Sequence, residues 1–475
     1  MLSQERIFAG APGLGVFANS KSPLLAHARE LASLRNLIWL YFWLLVLEGA
    51  LRKWTWPSLS APLLLIRDPV VLLIYAKALR CGRFPVVGPV LACFFLLACF
   101  VLLAVVQINV GIGGGPWVAV YGLWTYFLHL PLIFIIPLVF SNADVLKFGK
   151  WILLLSIPMA ALMVLQYLSP PGSWINATTV ADRQQISFAM GKIRPAGTFS
   201  FATGAAHFFV LATSFLIYAL TDSRHRYPRW LVTAALFSVA VVQPVSGSRL
   251  LVLGCALVLF ATILFGLFNP SRASRIAGMG ILLAVAVAVL SQTSFFAEAT
   301  DVFMARWDSA NTSAGGVREG LVWRFFGGFL EPFVLIPDMG FWGQGIGMGT
   351  NAASAMMTGT FQFLLAEGEW ARIILEAGPL LGLSFLLYRV WMAGSVAIRA
   401  LSAASNAQLL PWLLAWDAVR SLLTEQTSQP TNLGFMVLVT GLCLAAMNRP
   451  ELALRESTQT ESRGQGRIPN QVGLT

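Results

Sequence analysis

Residues 85–108 read PVVGPVLACFFLLACFVLLAVVQI, a stretch without one charged side chain. As a helix it would be about 36 Å long at 1.5 Å per residue, enough to cross a hydrocarbon layer about 30 Å thick. It is apolar on every side and shows no alternation of period two. Inside a bilayer its backbone groups can bond only to one another, so the stretch is predicted to be a membrane-spanning helix. The same reading extends outward along the chain. Of 475 residues 57% are apolar and 11% charged, where a soluble domain carries about 25% charged residues. Most of the surface must therefore face something as apolar as the core. Apolar runs predict spans at 36–51, 61–79, 85–108, 117–140, 150–168, 201–220, 230–247, 250–268, 276–291, 371–392, 405–422 and 431–447. The second is interrupted by Arg67, Asp68 and Pro69, and the eleventh carries Asp417 and Arg420. The expected fold is an all-α polytopic membrane protein of about twelve transmembrane helices with no sizeable soluble domain.

Lys/Arg excess in short loops marks the cytoplasmic side. With the N-terminus inside, inner segments hold Lys77, Arg80, Arg83, Lys147, Lys150, Arg224, Arg226, Arg229, Arg272, Arg275, Arg389 and Arg399. Both termini are then cytoplasmic. Residues 1–35 form a basic tail without signal-peptide features, 36–447 the transmembrane bundle, and 448–475 a polar, disordered tail. Two long loops face outward, at about 169–200 and 292–370. Residues 321–337 are apolar but broken by Arg324, Gly327, Gly328, Glu331 and Pro332. They read as an interfacial or re-entrant helix.

Several chemistries find no footing. The net charge of +11 is dispersed along the chain, and topology accounts for it better than nucleic-acid binding. The five cysteines lie in or beside apolar runs, with neither disulfide nor metal-ligand spacing. No two aspartates fall within three positions, so the D-x-D pattern of metal-dependent sugar transfer is missing. His129 and His207 stand alone in spans, where packing or hydrogen bonding suits them better than metal ligation. No metal or cofactor is expected.

Twelve basic residues run against the inside-positive trend: Arg52, Lys53, Arg67, Arg183, Lys192, Arg194, Arg249, Arg306, Arg318, Arg324, Arg372 and Arg420. Ionisable groups near hydrocarbon are costly, and a guanidinium fork suits phosphate. Together they suggest an outward cavity for an anionic lipid headgroup, most simply a diphosphate. Structural pairing with Glu48, Asp68, Glu376 or Asp417 competes with that reading for any one arginine. Four constellations stand out. In LEGALRKW, Glu48 and Arg52 are four apart on one helix face, where an intrahelical pair is the simpler reading. Arg194-Pro195-Ala196-Gly197-Thr198-Phe199 closes the first outer loop with a turn that would aim Arg194 and Thr198 into the bundle mouth. Ser246-Gly247-Ser248-Arg249 is a tight turn beside a helix N-terminus, suited to an anion. Gly343-Gln344-Gly345-Ile346-Gly347-Met348-Gly349 precedes Glu367, Glu369, Arg372 and Glu376. The last three lie on one stripe of a helix, and three charges there imply a polar cavity. The glycine run follows no strand, which argues against a nucleotide loop.

The order R-P-x-G-T-F, S-x-S-R, G-x-G-x-G and E-x-G-x-x-x-G, together with LEGALRKW and IRDP, resembles the O-antigen ligase and O-antigen/exopolysaccharide polymerase superfamily. The resemblance covers roughly residues 36–447. It implies a membrane-embedded, GT-C-like glycosyltransferase fold in a bacterial inner membrane. Such a protein acts at the periplasmic face on undecaprenyl-diphosphate-linked glycans, without nucleotide sugars or an obligatory metal. Ligases of that superfamily carry a histidine near the end of the late outer loop. Here Glu367 or Glu369 stands there, which favours a repeat-unit polymerase over a ligase. On this expectation Arg194, Arg249 and Arg372 clamp the diphosphate and Glu369 or Glu367 is the general base. Arg52, Arg318, Arg324, Thr198 and Glu376 are further candidate contacts. The partners expected are the lipid-linked glycan, membrane lipid, a chain-length regulator and a flippase. The rival from another class is a lipid-linked oligosaccharide flippase or other transporter, against which stands the lack of internal repeats.

Overall fold

The computed structural model describes residues 21–179, 191–222, 226–312, 328–335, 340–359 and 364–448. The helices are Lys21–Ala50 (α1), Asp68–Arg80 (α2), Gly88–Val110 (α3), Pro116–Phe127 (α4), Leu132–Val139 (α5), Asn142–Leu168 (α6), Ala202–Thr221 (α7) and Arg229–Val245 (α8). They continue as Arg249–Phe268 (α9), Ala273–Ser291 (α10), Ser294–Thr312 (α11), Gly328–Leu335 (α12), Asn351–Thr358 (α13), Glu369–Ser405 (α14), Leu409–Thr424 (α15) and Pro430–Met447 (α16). Among the described residues there is no β-strand. Among the described residues ten helical segments are long and apolar enough to cross a membrane. The other two expected spans form the shorter α8, of 17 residues, and α15, of 16. Of the residues of α16 89% are buried, and of an 18-residue stretch within Pro270–Val289, which holds most of α10, only 17%, so α16 is central and α10 peripheral. Phe95, Leu102, Ile281 and Leu387 are exposed, the pattern of a surface that meets lipid.

Bonds between loops define the two ends of the bundle. At one end Trp54 Nε1 donates to the Trp174 carbonyl, Ser60 to Thr179 and Gln107 to Trp342, while Lys192 pairs with Glu298. These are segments expected to share the outer side. At the other end Lys77 bonds to Ser33, Arg35 pairs with Asp144, Asn269 donates to Ala404 and Asn448 to Pro137, all segments expected on the inner side. The contacts Arg35–Asp144, Trp39–Phe148 and Trp43–Trp151 advance together along α1 and α6. These helices therefore run parallel, as the first and fifth spans of an alternating bundle must.

Two expectations need correction. The span expected at 371–392 is not one straight helix. Gly378 has φ 73° and ψ 171°, outside the helical region, and Pro379 follows it. The chain reverses there: Glu369 and Arg389, twenty positions apart, meet at 2.7 Å, and Gly382 packs on the backbone of Ile373 and Ile374. Residues 369–377 are thus a short helix folded back on residues 379–405, whose 27 positions alone span about 40 Å. As a second consequence, Arg389 is not an inner-loop cation. It is buried within the long helix, 2% exposed, and donates to the Leu422 and Glu425 carbonyls at the end of α15. Residues 321–327, 336 and 337 of the expected interfacial segment lie outside the described residues. The part described, α12, has eight residues and sets Phe329 edge-on to Trp370.

Candidate functional site

The fold-back at Gly378 assembles a buried charged knot. Glu369 accepts from Arg389 Nη1 at 2.7 Å, Thr427 N at 3.0 Å and Thr427 Oγ1 at 2.9 Å on one oxygen, and from Arg372 Nε at 2.9 Å on the other. Glu376 likewise accepts from Tyr126 and the Gly347 amide on Oε2, and from the Gly349 amide and Arg372 Nη1 on Oε1, at 2.8–3.0 Å. A carboxylate offers about four acceptor positions, and each of these two already takes four donors. Arg372 places Nη1 also on Tyr126 Oη at 3.1 Å and Nη2 on Thr427 Oγ1 at 2.9 Å, which engages four of its five N–H groups. Two guanidinium groups face two carboxylates, and the side chains are at most 2% exposed. The polar surroundings implied by this stripe are therefore protein groups.

The knot explains the glycine run. Gly343, Gly345 and Gly347 all have positive φ, and a Cβ on Gly347 would sit 2.2 Å from the Val118 carbonyl oxygen. The loop thereby turns its amides onto Glu376 and presses against α4. Backbone amides in such turns make anion-binding concavities, and here the anion is the protein's own carboxylate. Gln107, at the end of α3, ties the loop down. It donates to the Trp342 and Glu376 carbonyls and accepts from the Ile346 amide at 2.9 Å.

A second assembly joins LEGALRKW to the first outer loop. The end of α1 loosens into a π-turn, Leu51–Thr55, that buries Arg52 and Lys53. Glu48 and Arg52 form the intrahelical pair their spacing suggests, at 3.3 Å, and Glu48 also holds Arg67 at 3.1 Å. Arg52 reaches Ser200 at 3.0 Å, while Lys53 Nζ donates to the Gly197 and Phe199 carbonyls at 2.7 and 2.9 Å. Thr198 is spent on the Val46 carbonyl at 2.7 Å, and Gln166 holds both backbone groups of Gly197. Gly49 must be glycine, because a Cβ there would lie within 2.4 Å of the Thr198–Ser200 backbone. The IRDP break completes the set. Asp68 takes His129 Nε2 at 2.9 Å and Trp124 Nε1 at 2.8 Å, and Tyr41 sits on His129 Nδ1 at 3.0 Å. Because α4 supplies both Trp124 and Tyr126, the two assemblies share one wall.

Arg194 and Arg249 are half-buried at the same end. Arg194 precedes the turn clamped by Lys53, and Arg249 opens α9 behind Ser248, whose hydroxyl caps the helix through the Leu251 amide. Helix α11 lies across this end, with Ala299 and Val302 packed on Tyr167 and Val245. Glu367 is exposed two residues before Glu369, and Glu331 approaches Gly368. Arg183, Arg318 and Arg324 lie outside the described residues. A third cluster lies beside the knot. Arg420 pairs with Asp417 at 2.6 Å and with Glu425, and it donates to His207 Nδ1 at 3.3 Å. His207 Nε2 therefore carries the hydrogen that meets Glu425 at 3.1 Å. Tyr126, Thr427, Gln107 and Arg389 were not singled out by sequence. Gln107 carried a signal, as a lone amide late in an apolar run.

Chemically, the arrangement offers a rigid, charge-balanced floor with arginines and an exposed carboxylate around it at one end of the bundle. No protein-family model matches the chain, and no curated protein matches it.

Proposed function

We propose that this is a twelve-span glycosyltransferase of the inner membrane, with both termini cytoplasmic, that polymerises lipid-diphosphate-linked oligosaccharide repeats at the periplasmic face. One observation carries the reading. Five of the six motifs that bear the resemblance, all but S-x-S-R, are bonded into adjoining assemblies at one end, although Glu48 and Glu376 lie more than 300 positions apart. Work at one surface asks for that; a carrier asks for a site near the midplane. The acceptor hydroxyl oxygen bonds to the donor's anomeric carbon as the bond from that carbon to phosphate breaks. The electron pair leaves with the undecaprenyl diphosphate, and the hydroxyl proton passes to a carboxylate.

The geometry supports a redistribution of roles. A general base needs an acceptor position within reach of the substrate hydroxyl; Glu369 is buried and already takes four donors, whereas Glu367 is exposed. Arg372 is engaged within the knot and is assigned to positioning. Arg194 and Arg249 are assigned to the diphosphate, where they offset the charge of the leaving group. Purified protein given lipid-linked repeats, without metal or nucleotide sugar, is expected to lengthen them. Arg194→Ala and Arg249→Ala should each slow elongation about 10²–10³-fold, and Glu367→Gln about 10²–10⁴-fold. Transfer only to a different acceptor would make the protein a ligase. Movement of lipid-linked glycan across vesicles with no new bond would replace the proposal with a transporter.

A further inference from the structure

At the opposite end of the bundle, α1 and α6 leave a cleft of about 350 Å³ between them. Its walls are two parallel stripes. Arg35, Trp39 and Trp43 are spaced four apart on α1; Asp144, Lys147 and Trp151 follow on α6. Arg35 and Lys147 stand at the mouth, with Lys147 Nζ 6.0 Å from the Trp39 ring. Trp43 and Trp151 meet edge to face at 5.3 Å, about 12 Å further along α1. The cleft therefore grades from two cations to an indole wall. Asp144 is the carboxylate among the lining residues. One of its oxygens pairs with Arg35 at 3.4 Å and the other caps Ser141. Among the described residues Lys147 forms no ion pair, and the buried Arg35 Nε has no hydrogen-bond partner.

We propose that this cleft binds one anionic phospholipid, its phosphate between Arg35 and Lys147 and its acyl chain along Trp39, Trp43 and Trp151. The charge balance of two cations to one carboxylate selects an anion. The aromatic wall selects an amphiphile over a free ion, since indoles favour the boundary between headgroup and hydrocarbon. The site lies away from the motif assemblies and does not depend on the function proposed above.

Native mass spectrometry of the full chain in detergent tests it, with phosphatidylglycerol and phosphatidylethanolamine as probes and inorganic phosphate as competitor. Phosphatidylglycerol should remain bound one to one and outcompete phosphatidylethanolamine. Each basic residue beside anionic lipid is worth about fivefold in affinity, so Arg35→Gln with Lys147→Gln should weaken phosphatidylglycerol about 25-fold and phosphatidylethanolamine, whose ammonium offsets its phosphate, much less. Asp144→Asn, which removes the opposing charge, should strengthen it. Equal binding of the two lipids overturns the proposal. So does phosphatidylglycerol binding that neither variant alters, and so does displacement by millimolar phosphate, which would mark a site for free anions.

Discussion

Glu369→Gln separates a structural carboxylate from a catalytic one, and its cost follows from the bonding. Glu369 accepts four hydrogen bonds, two of them from the guanidinium groups of Arg372 and Arg389. Glutamine has one acceptor oxygen. In its better orientation that oxygen keeps Thr427 and Arg389, and the amide nitrogen then points a donor at Arg372 Nε. The knot also loses charge balance, with two buried guanidinium groups left facing Glu376 alone. Removing one partner of a buried ion pair costs about 3–5 kcal/mol, because the other charge stays buried. The readout is built in: Cys255 and Cys443 are buried free thiols on α9 and α16, and their labelling in a denaturant titration reports unfolding. Glu369→Gln should unfold at clearly lower denaturant. Adding Arg389→Gln restores the balance, so the double variant should be less destabilised than the summed singles, by about 0.5–3 kcal/mol. Wild-type stability with elongation lost about 10²–10⁴-fold would make Glu369 the general base and refute the saturation argument.

Three further outcomes are expected. Gly347→Ala forces a Cβ against the Val118 carbonyl at positive φ and should cost about 2–4 kcal/mol, whereas Gly278→Ala in α10, where nothing lies within 4 Å, should be neutral or stabilise by up to about 1 kcal/mol; equal effects in the thiol assay would contradict the packing of the glycine loop. Lys53→Met leaves the Phe199 carbonyl without its donor, at about 1–3 kcal/mol, and the Gly197 carbonyl with Gln166 alone. Trypsin should then cut faster after Lys192, as read by peptide mass spectrometry, and an unchanged rate would mean the turn is held by other groups. Cysteines placed at Ser173 and Glu298 should react with impermeant maleimide in intact spheroplasts, and those at Ser271 and Ser405 only after permeabilisation; a mixed pattern would end the twelve-span model.

The helical character of the chain was legible because hydrocarbon demands it. A span such as 85–108 needs no partner to be recognised, and α3 occupies that place almost unchanged. The break at Arg67–Asp68 was legible too, as charge and proline within an apolar run. What could not be read was the direction of the chain after Gly378. Hydropathy is the same whether residues 369–392 run straight or fold back, and only the meeting of Glu369 with Arg389 decides it. Sidedness arithmetic misplaced Arg389 for the same reason: it counts charges along the sequence, whereas a fold-back moves a charge without changing that order.

The glycine run and the arginines show a deeper limit. A charge held in a membrane bundle must find a partner, because an unpaired one is too costly. The sequence states that demand but not who meets it. Glu376 is met by Tyr126, 250 positions away, and by the amides of Gly347 and Gly349, so an anion nest that could have held a phosphate holds a carboxylate instead. Arg52, Arg67, Arg372 and Arg420 are likewise paired with carboxylates of the chain itself. Each such pairing withdraws a side chain from the pool that could grip a substrate and adds it to the frame that fixes loop geometry. The function proposed above places the diphosphate clamp on a loop and a helix-end arginine, Arg194 and Arg249. The mid-helix arginines would act on rate only through the positions of those two, so a charge-balanced double substitution in the knot should lower stability more than it lowers the affinity for donor.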